Sequence, residues 1–299
     1  MKFLAYARLV RLPNVFTAFA DIAVGFAVFY GLREPDQSLP LWWHFAALFL
    51  ASGCIYTAGM VWNDFFDLAE DRKTRPNRPL VQGIIKVRSA FILGSILLLG
   101  GCAVAFVASN TSGYFAMAIA IAVMAYNYHF KHTKFGPLSM ASCRFLNVLL
   151  GVSLVPTSLA DWPLKLFLAS IVGVYIVGVT WFARTEEKRS NPKVLKLASG
   201  VILAALLLAV ALPSMIPGNT CSWLYPYSLV AFGGYLWPAI YRAVKYPTPT
   251  NVQGAVKRLI LGLVFLDAIL ASAFAGTLAL VLVVLLIPAK LLGKWIYST

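Results

Sequence analysis

The sequence predicts an all-α fold, a polytopic membrane helix bundle of nine to ten transmembrane helices. Three observations lead there. Sixty per cent of the residues are apolar and only 12% are charged, with a mean hydropathy of +0.79. The apolar residues gather in runs near the roughly 20 residues that carry a helix across a bilayer. Finally, Lys and Arg alternate from one connector to the next, as they do when successive loops fall on opposite sides of a membrane.

The expected spans follow in order at 12 to 30, 42 to 62, 90 to 108, 112 to 129, 138 to 156, 164 to 183, 195 to 213, 223 to 241, 256 to 275 and 277 to 296. The first carries Asp21 and lacks a small-residue cleavage site after a short apolar core, so it is expected to stay rather than to be a cleaved signal. The second ends in a run of carboxylates. The fifth holds Arg144 and Asn147, three residues apart on one face, and the ninth holds Asp267. Gly276-Thr277 is a thin break before the last run, so 256 to 296 is either two spans or one span with a re-entrant or interfacial helix. Short connectors leave no room for a soluble domain, and residues 1–299 are expected to form one unit with no internal repeat.

A net charge of +14 raises the question of a nucleic-acid partner, but the placement of the charge answers it as topology. With Lys2, Arg8 and Arg11 in the cytoplasm, the loops at 63 to 89, 129 to 138, 184 to 198 and 242 to 258 share that side, as do Lys290 and Lys294. The opposite connectors contribute only Arg33 and Lys165. The positive-inside pattern holds through every crossing, favours an even number of spans, and calls for no nucleic acid. The expected location is the inner, cytoplasmic membrane, with the acidic site facing the cytoplasm. Cys54, Cys102, Cys143 and Cys221 show no paired spacing and suggest neither a zinc site nor a disulfide framework.

The acidic run is Asn63-Asp64-Phe65-Phe66-Asp67-Leu68-Ala69-Glu70-Asp71, followed by Arg72, Lys73, Arg75 and Arg78. On a helix the three aspartates stack on one face about one turn apart, with Glu70 off that face. Carboxylates that close repel strongly in a low dielectric unless they share a cation. Hard oxygen ligands suit Mg²⁺, which takes one or two protein carboxylates and fills its other positions with water and phosphate oxygens. The basic run is suited to the same phosphates. His129 and His132, beside Lys131 and Lys134, are expected to share a helix face in a solvated basic loop near an anionic ligand. Buried polar groups within the spans cost at least about 2.5 to 3.5 kcal/mol each, so Asp21, Arg144, Asn147 and Asp267 should pair or face a cavity.

The pattern Asn63-Asp64-x-x-Asp67-x-x-x-Asp71, then Arg75-Pro76-Asn77-Arg78-Pro79-Leu80-Val81-Gln82-Gly83, resembles the first aspartate-rich motif and following loop of the UbiA superfamily of intramembrane prenyltransferases. Arg11-Leu12-Pro13-Asn14 is similar to that family's N-terminal signature, and Arg144-Phe145-Leu146-Asn147 with Gly151 to its span-five motif. Within the superfamily, Trp181-Phe182-Ala183-Arg184-Thr185-Glu186-Glu187, Asp267 and Ile287-Pro288-Ala289 resemble the EboC-like branch.

The resemblance implies helices around a central cavity opening to a cytoplasmic cap, with two aspartate-rich motifs holding Mg²⁺ and the diphosphate of an isoprenoid donor. Carried over by position, Asn63, Asp64, Asp67 and Asp71 are the expected first metal site. Asp64, Asp67, Asp71 and Arg144 are expected to carry the chemistry. Arg72, Arg78, Lys131, Lys134 and Arg144 would meet phosphate, while Asn14, Asn63 and Asn147 would line the cavity. Tyr126, Tyr128, Tyr175 and Trp181 would offer ring faces to an allylic cation. The chain departs from the family at the second motif: Glu186 and Glu187 are followed at the four-residue positions by Ser190 and Asn191, so no second carboxylate pair exists. Glu187 is the expected second-metal ligand and Glu186 a substrate-binding neighbour. The implied function is Mg²⁺-dependent prenyl transfer to a small aromatic or lipidic acceptor, with membrane lipid as partner. Alternatives are a terpene cyclase of the same family and a non-catalytic carrier or exporter of an isoprenoid or other hydrophobic metabolite.

Overall fold

A computed structural model describes residues 2–33, 42–186, 189–216 and 221–297, and among them every regular element is helical. The α-helices are α1 (Lys2–Leu9), α2 (Val15–Leu32), α3 (Trp42–Phe66), α4 (Leu68–Thr74), α5 (Val87–Ala108), α6 (Asn110–Tyr128), α7 (Gly136–Val152), α8 (Trp162–Ala183), α9 (Pro192–Ala211), α10 (Tyr225–Lys245), α11 (Pro249–Ala275) and α12 (Leu286–Tyr297). Expected spans one to nine correspond to α2, α3 and α5 to α11. Several starts are set by a capping side chain followed by proline, whose missing N–H costs nothing in a first turn. Asp161 Oδ1 accepts from the Leu164 N–H at 3.0 Å, Asn191 Oδ1 from Lys193 at 2.9 Å, and Thr248 caps α11. Ser109 caps α6 without a proline.

Chain neighbours pack side by side from α2 round to α11, and α11 closes the ring on α2. Helix α2 also crosses to α7, and that contact is made by bare backbone. A Cβ on Gly25 would fall 2.1 Å from the Gly151 carbonyl, and one on Gly31 would fall 2.2 Å from the Phe274 carbonyl oxygen. Small residues allow such approach between apolar helices, where lipid supplies no hydrophobic drive to association. The consequence for function is direct: the approach brings Asp21 of α2 against Arg144 of α7 and Asp267 of α11. Outward faces carry Leu99, Ile121, Leu207 and Val230, all exposed, as a lipid-facing surface requires. The chain is thus an integral, multi-pass membrane protein, and among the described residues six segments are long and apolar enough to cross a bilayer on length and composition alone.

The last run is not one continuous α-helix. Helix α11 ends at Gly276, whose φ of 67° suits glycine and turns the chain back. Residues Gly276–Leu285 form a 3-10 stretch that returns along α11 and α2, with Ala279 packed on Ala27 and Ala271. Leu286 then packs on Ala20 and Val264, and α12 reaches α1. The two pieces together are long enough for the ~30 Å hydrocarbon core.

Candidate active site

Helix α3 runs beyond its apolar stretch, and the helical bonding continues through the junction with α4. The Asp67 N–H donates to the Asn63 carbonyl at 3.0 Å and the Asp71 N–H to the Asp67 carbonyl at 2.8 Å. Asp64, Asp67 and Asp71 therefore keep their spacing of three and four residues on one face, and all three are buried with Asn63. Their charges are met by cations from elsewhere in the chain. Arg78 Nη1 donates to Asp64 Oδ1 at 2.8 Å and to Asp71 Oδ2 at 2.5 Å, bridging the two. Lys131, from the 130–132 turn, bonds Asp67. Arg11 Nη2 reaches Asn63 Oδ1 at 3.3 Å and Asp64 Oδ1 at 3.4 Å. The loop bearing Arg78 is fixed by Leu80 and Ile85, buried among Ala5, Leu9 and Val61.

Arg11 occupies the left-handed region, with φ 47° and ψ 49°, and is the one non-glycine among the described residues with a positive φ. An L-residue there costs on the order of 1 kcal/mol, so its surroundings must hold it. Asn63 is fixed by a further residue: its Nδ2 donates to Asn127 Oδ1 at 3.0 Å, and Asn127 Nδ2 donates in turn to the Gly59 and Val123 carbonyls.

Asp64, Asp67 and Asp71 line neither of two adjoining cavities directly; Asn63 and Lys131 border a chamber of about 360 Å³, which adjoins a vestibule of about 500 Å³ bordered by Lys131 and His132. The two share Arg75, Tyr126, Lys131, Thr180, Ala183 and Glu186. The chamber walls are largely apolar, with Ile55, Met60, Ile119, Val123 and Met140 among them. Asn14, Ser52, Tyr56, Arg144 and Asn147 supply its polar part. Arg144 is held on three sides: Nη1 bonds Asp21 Oδ2 at 3.0 Å, Nη2 bonds Thr17 Oγ1 at 2.6 Å, and the guanidinium lies 5.2 Å from the Tyr56 ring centroid. Asn147 donates to Asp21 Oδ2 at 2.7 Å and to the Ala18 carbonyl at 3.1 Å, and accepts from Ser52 Oγ at 2.8 Å. Asp267 is fully buried behind this network, against Asp21.

The structure moves several expected residues out of the site. Arg72 is exposed, because one residue past Asp71 is about 100° round the helix; Arg75, four residues on, brings Nη1 to 3.7 Å from Asp71 Oδ1 and lines both cavities instead. Lys134 is exposed beyond the turn that presents Lys131. Tyr175 packs against Phe232 and donates to the Leu259 carbonyl at 2.8 Å, away from the chamber. Tyr128 is 76% exposed, and Trp181 packs on the core, which leaves Tyr126 of the four aromatics at the cavity wall. His129 and His132 share no helix face, since α6 ends at Tyr128 and 130–132 is a short 3-10 turn. His132 instead brings Nε2 to 4.0 Å from Asp67 Oδ1, and Asp67, Glu70 and His132 hold ligand atoms within 4.8 Å of one another. Glu186 lines both cavities. Glu187 lies outside the described residues.

The donor set fits a hard divalent cation. Asp64, Asp67 and Asp71 offer only carboxylate oxygens, the ligand type that Mg²⁺ takes. Of the residues the sequence did not single out for the site, Arg11, Tyr56 and Asn127 matter most. Asn127 sits between two tyrosines at the end of a span, where an isolated amide is itself a signal.

A model of the UbiA prenyltransferase family matches residues 23–255. The chain belongs to the UbiA prenyltransferase family. A digeranylgeranylglyceryl phosphate synthase of Methanococcoides burtonii is 31% identical over 137 residues, covering 44% of this chain and 47% of the relative. The synthase of the same name from Saccharolobus solfataricus is 26% identical over 234 residues, covering 73% and 80%. The chain spans about half the length of the first curated relatives it matches. Two solved structures share the UbiA fold. The UbiA homologue from Archaeoglobus fulgidus bound to GPP and Mg²⁺ superposes with a TM-score of 0.61 at 19% identity, over 89% of this chain and 99% of that one. The apo UbiA homologue from Aeropyrum pernix K1 gives 0.67 at 15% identity, over 86% and 96%.

Proposed function

We propose that this chain is a Mg²⁺-dependent intramembrane prenyltransferase, which moves the prenyl group of an isoprenoid diphosphate onto a lipidic acceptor. The observation that carries the reading is a set of three buried aspartates, already neutralised by Arg11, Arg78 and Lys131, whose partners Arg11 and Lys131 and neighbour Asn63 line a largely apolar chamber. A divalent cation added to that balanced set brings surplus positive charge, which a diphosphate offsets. Bound there, Mg²⁺ would supply Lewis-acid stabilisation of the departing diphosphate.

The remaining roles fall to the chain. Asp64, Asp67 and Asp71 hold the metal. Arg78, Arg75 and Lys131 take up diphosphate oxygens, the first and last exchanging a carboxylate for a phosphate as the donor arrives. In the transfer the allylic C–O bond breaks, the diphosphate leaves with the bonding pair, an acceptor oxygen captures the carbon and its proton is released. Walls such as Ile119 and Val123 exclude water from the cation, and Tyr56 and Tyr126 line the same chamber. The polar groups at Asn14, Ser52 and Asn147 suit a hydroxyl-bearing acceptor, in keeping with the glyceryl phosphate lipid named in the relatives. Because the connectors richest in Lys and Arg flank the aspartates, the site opens to the cytoplasm.

The test is product analysis by mass spectrometry, with allylic diphosphates of several chain lengths and two acceptor classes, a glycerol-based lipid with a free hydroxyl and a small phenol. A prenylated lipid is expected. A cyclised hydrocarbon with no acceptor adduct would overturn transfer in favour of cyclisation, and saturable donor binding with no product would point to a carrier.

A further inference from the structure

The family model stops at residue 255, so the returning segment 276–297 has no part assigned to it. Its far end packs on α1 and on the 12–14 turn next to Arg11. Arg8 Nε donates to the Ile296 carbonyl at 2.7 Å, which ties α1 to α12 three residues before Arg11. The backbone between them is continuous in its bonding: the Arg11 N–H donates to the Arg8 carbonyl at 3.1 Å and the Asn14 N–H to the Arg11 carbonyl at 2.9 Å. Arg11 itself is the left-handed residue, and its guanidinium reaches Asn63 and Asp64 only because the chain reverses there. Along its length the segment is anchored on the bundle by Ala279 and Leu286, so α12 gives α1 a fixed support.

We propose that the C-terminal segment 286–297 is a positioning element for the active site, acting through Arg8 to hold Arg11 in the strained conformation that places its guanidinium on Asn63 and Asp64. A strained residue persists only where its neighbours over-determine it; the other supports of this turn come from α2 and, around Leu9, from Val61, Leu80, Ile85 and Ala90. α12 supplies an anchor independent of the aspartates. Arg8 is thus a positioning residue, and it touches no substrate. The kinetic part of this inference rests on the prenyl-transfer reading; the conformational part does not.

Two measurements on the full chain in nanodiscs keep those parts separate. The first is hydrogen exchange at residues 9–14 in Arg8→Gln, Arg8→Lys and a chain ended after Leu285. Faster exchange is expected for Arg8→Gln, whose amide is too short to reach the Ile296 carbonyl, and for the shortened chain, with protection retained in Arg8→Lys, whose long cationic donor still reaches it. Unchanged exchange in both of the first two would overturn the proposal, whatever the protein catalyses. The second is a cycle of Arg8→Gln and Arg11→Gln on the KM for a prenyl diphosphate. Arg8→Gln is expected to raise KM by about tenfold to a hundredfold, and the double variant to be no worse than Arg11→Gln alone. Effects that multiply would show that Arg8 acts on general stability and would refute the positioning role. If the unaltered protein turns over no prenyl diphosphate, the functional reading fails and the exchange result alone decides the inference.

Discussion

Replacing Asp21 with asparagine isolates the interaction that ties α2 to α7. Asp21 is fully buried, and its Oδ2 accepts from Arg144 at 3.0 Å and from Asn147 at 2.7 Å. Asparagine keeps the shape and removes the charge, leaving the guanidinium with Thr17 and the Tyr56 ring beside it and Asp267 as the nearest remaining carboxyl of this network. Removing one partner of a buried ion pair costs about 3 to 5 kcal/mol, because the other charge stays desolvated and uncompensated. Arg144→Met should cost a comparable amount. The combination of Asp21→Asn with Arg144→Met should cost less than either alone, because no unpaired charge remains. The assay is equilibrium unfolding in mixed micelles of rising denaturing-detergent fraction, followed by far-UV circular dichroism. If the double variant loses the sum of the two single losses, Asp21 and Arg144 act independently and the pair is not what holds α2 on α7.

Three other outcomes follow from the same geometry. Arg78→Gln removes the bridge between Asp64 and Asp71 and a phosphate donor, so the KM for a prenyl diphosphate should rise about tenfold to a hundredfold, as read from initial rates at saturating Mg²⁺. Asp267 is buried against Asp21 and, among the described residues, its oxygens have no paired donor, so the neutral amide of Asp267→Asn should leave stability within about 1 kcal/mol of the unaltered chain or raise it. A loss of several kcal/mol in detergent unfolding would show that its charge is needed. Tyr175→Phe should lower stability by about 1 kcal/mol through loss of the bond to the Leu259 carbonyl while leaving donor KM unchanged; a KM effect in steady-state kinetics would return Tyr175 to the substrate path.

The order of the nine long helices was legible because apolar runs and Lys/Arg placement are one-dimensional signals, and the lipid environment enforces both; the short α1 and α4 carry no apolar run of spanning length. The acidic face was legible for a similar reason: the steps from Asp64 to Asp67 to Asp71 fix a face once a helix is assumed, and the helical bonding does run through Asp67. Charge alone could not choose among the basic residues. Arg72 and Arg75, like Lys131 and Lys134, are near neighbours in the chain and differ only in the angle at which α4 and the 130–132 turn present them. The pairing of Asp21 with Arg144 was available as one option among several, and what decided it was the backbone contact at Gly25 and Gly151, 126 positions apart in the chain. Arg11 could be recognised by its place in Arg11-Leu12-Pro13-Asn14. Its left-handed conformation could not, because that depends on a segment almost 300 residues away.

The central claim is that the buried aspartates ionise a prenyl diphosphate with the help of a divalent metal. It is tested most directly by measuring diphosphate release from the purified protein in lipid nanodiscs, with a panel of allylic diphosphates, with Mg²⁺ and with chelator, beside Asp64→Asn and Asp67→Asn. Release that requires Mg²⁺ and is abolished by both substitutions is expected, in variants that stay helical by far-UV circular dichroism. Release that persists in chelator or in either variant, or no release from any donor despite saturable binding, would contradict it.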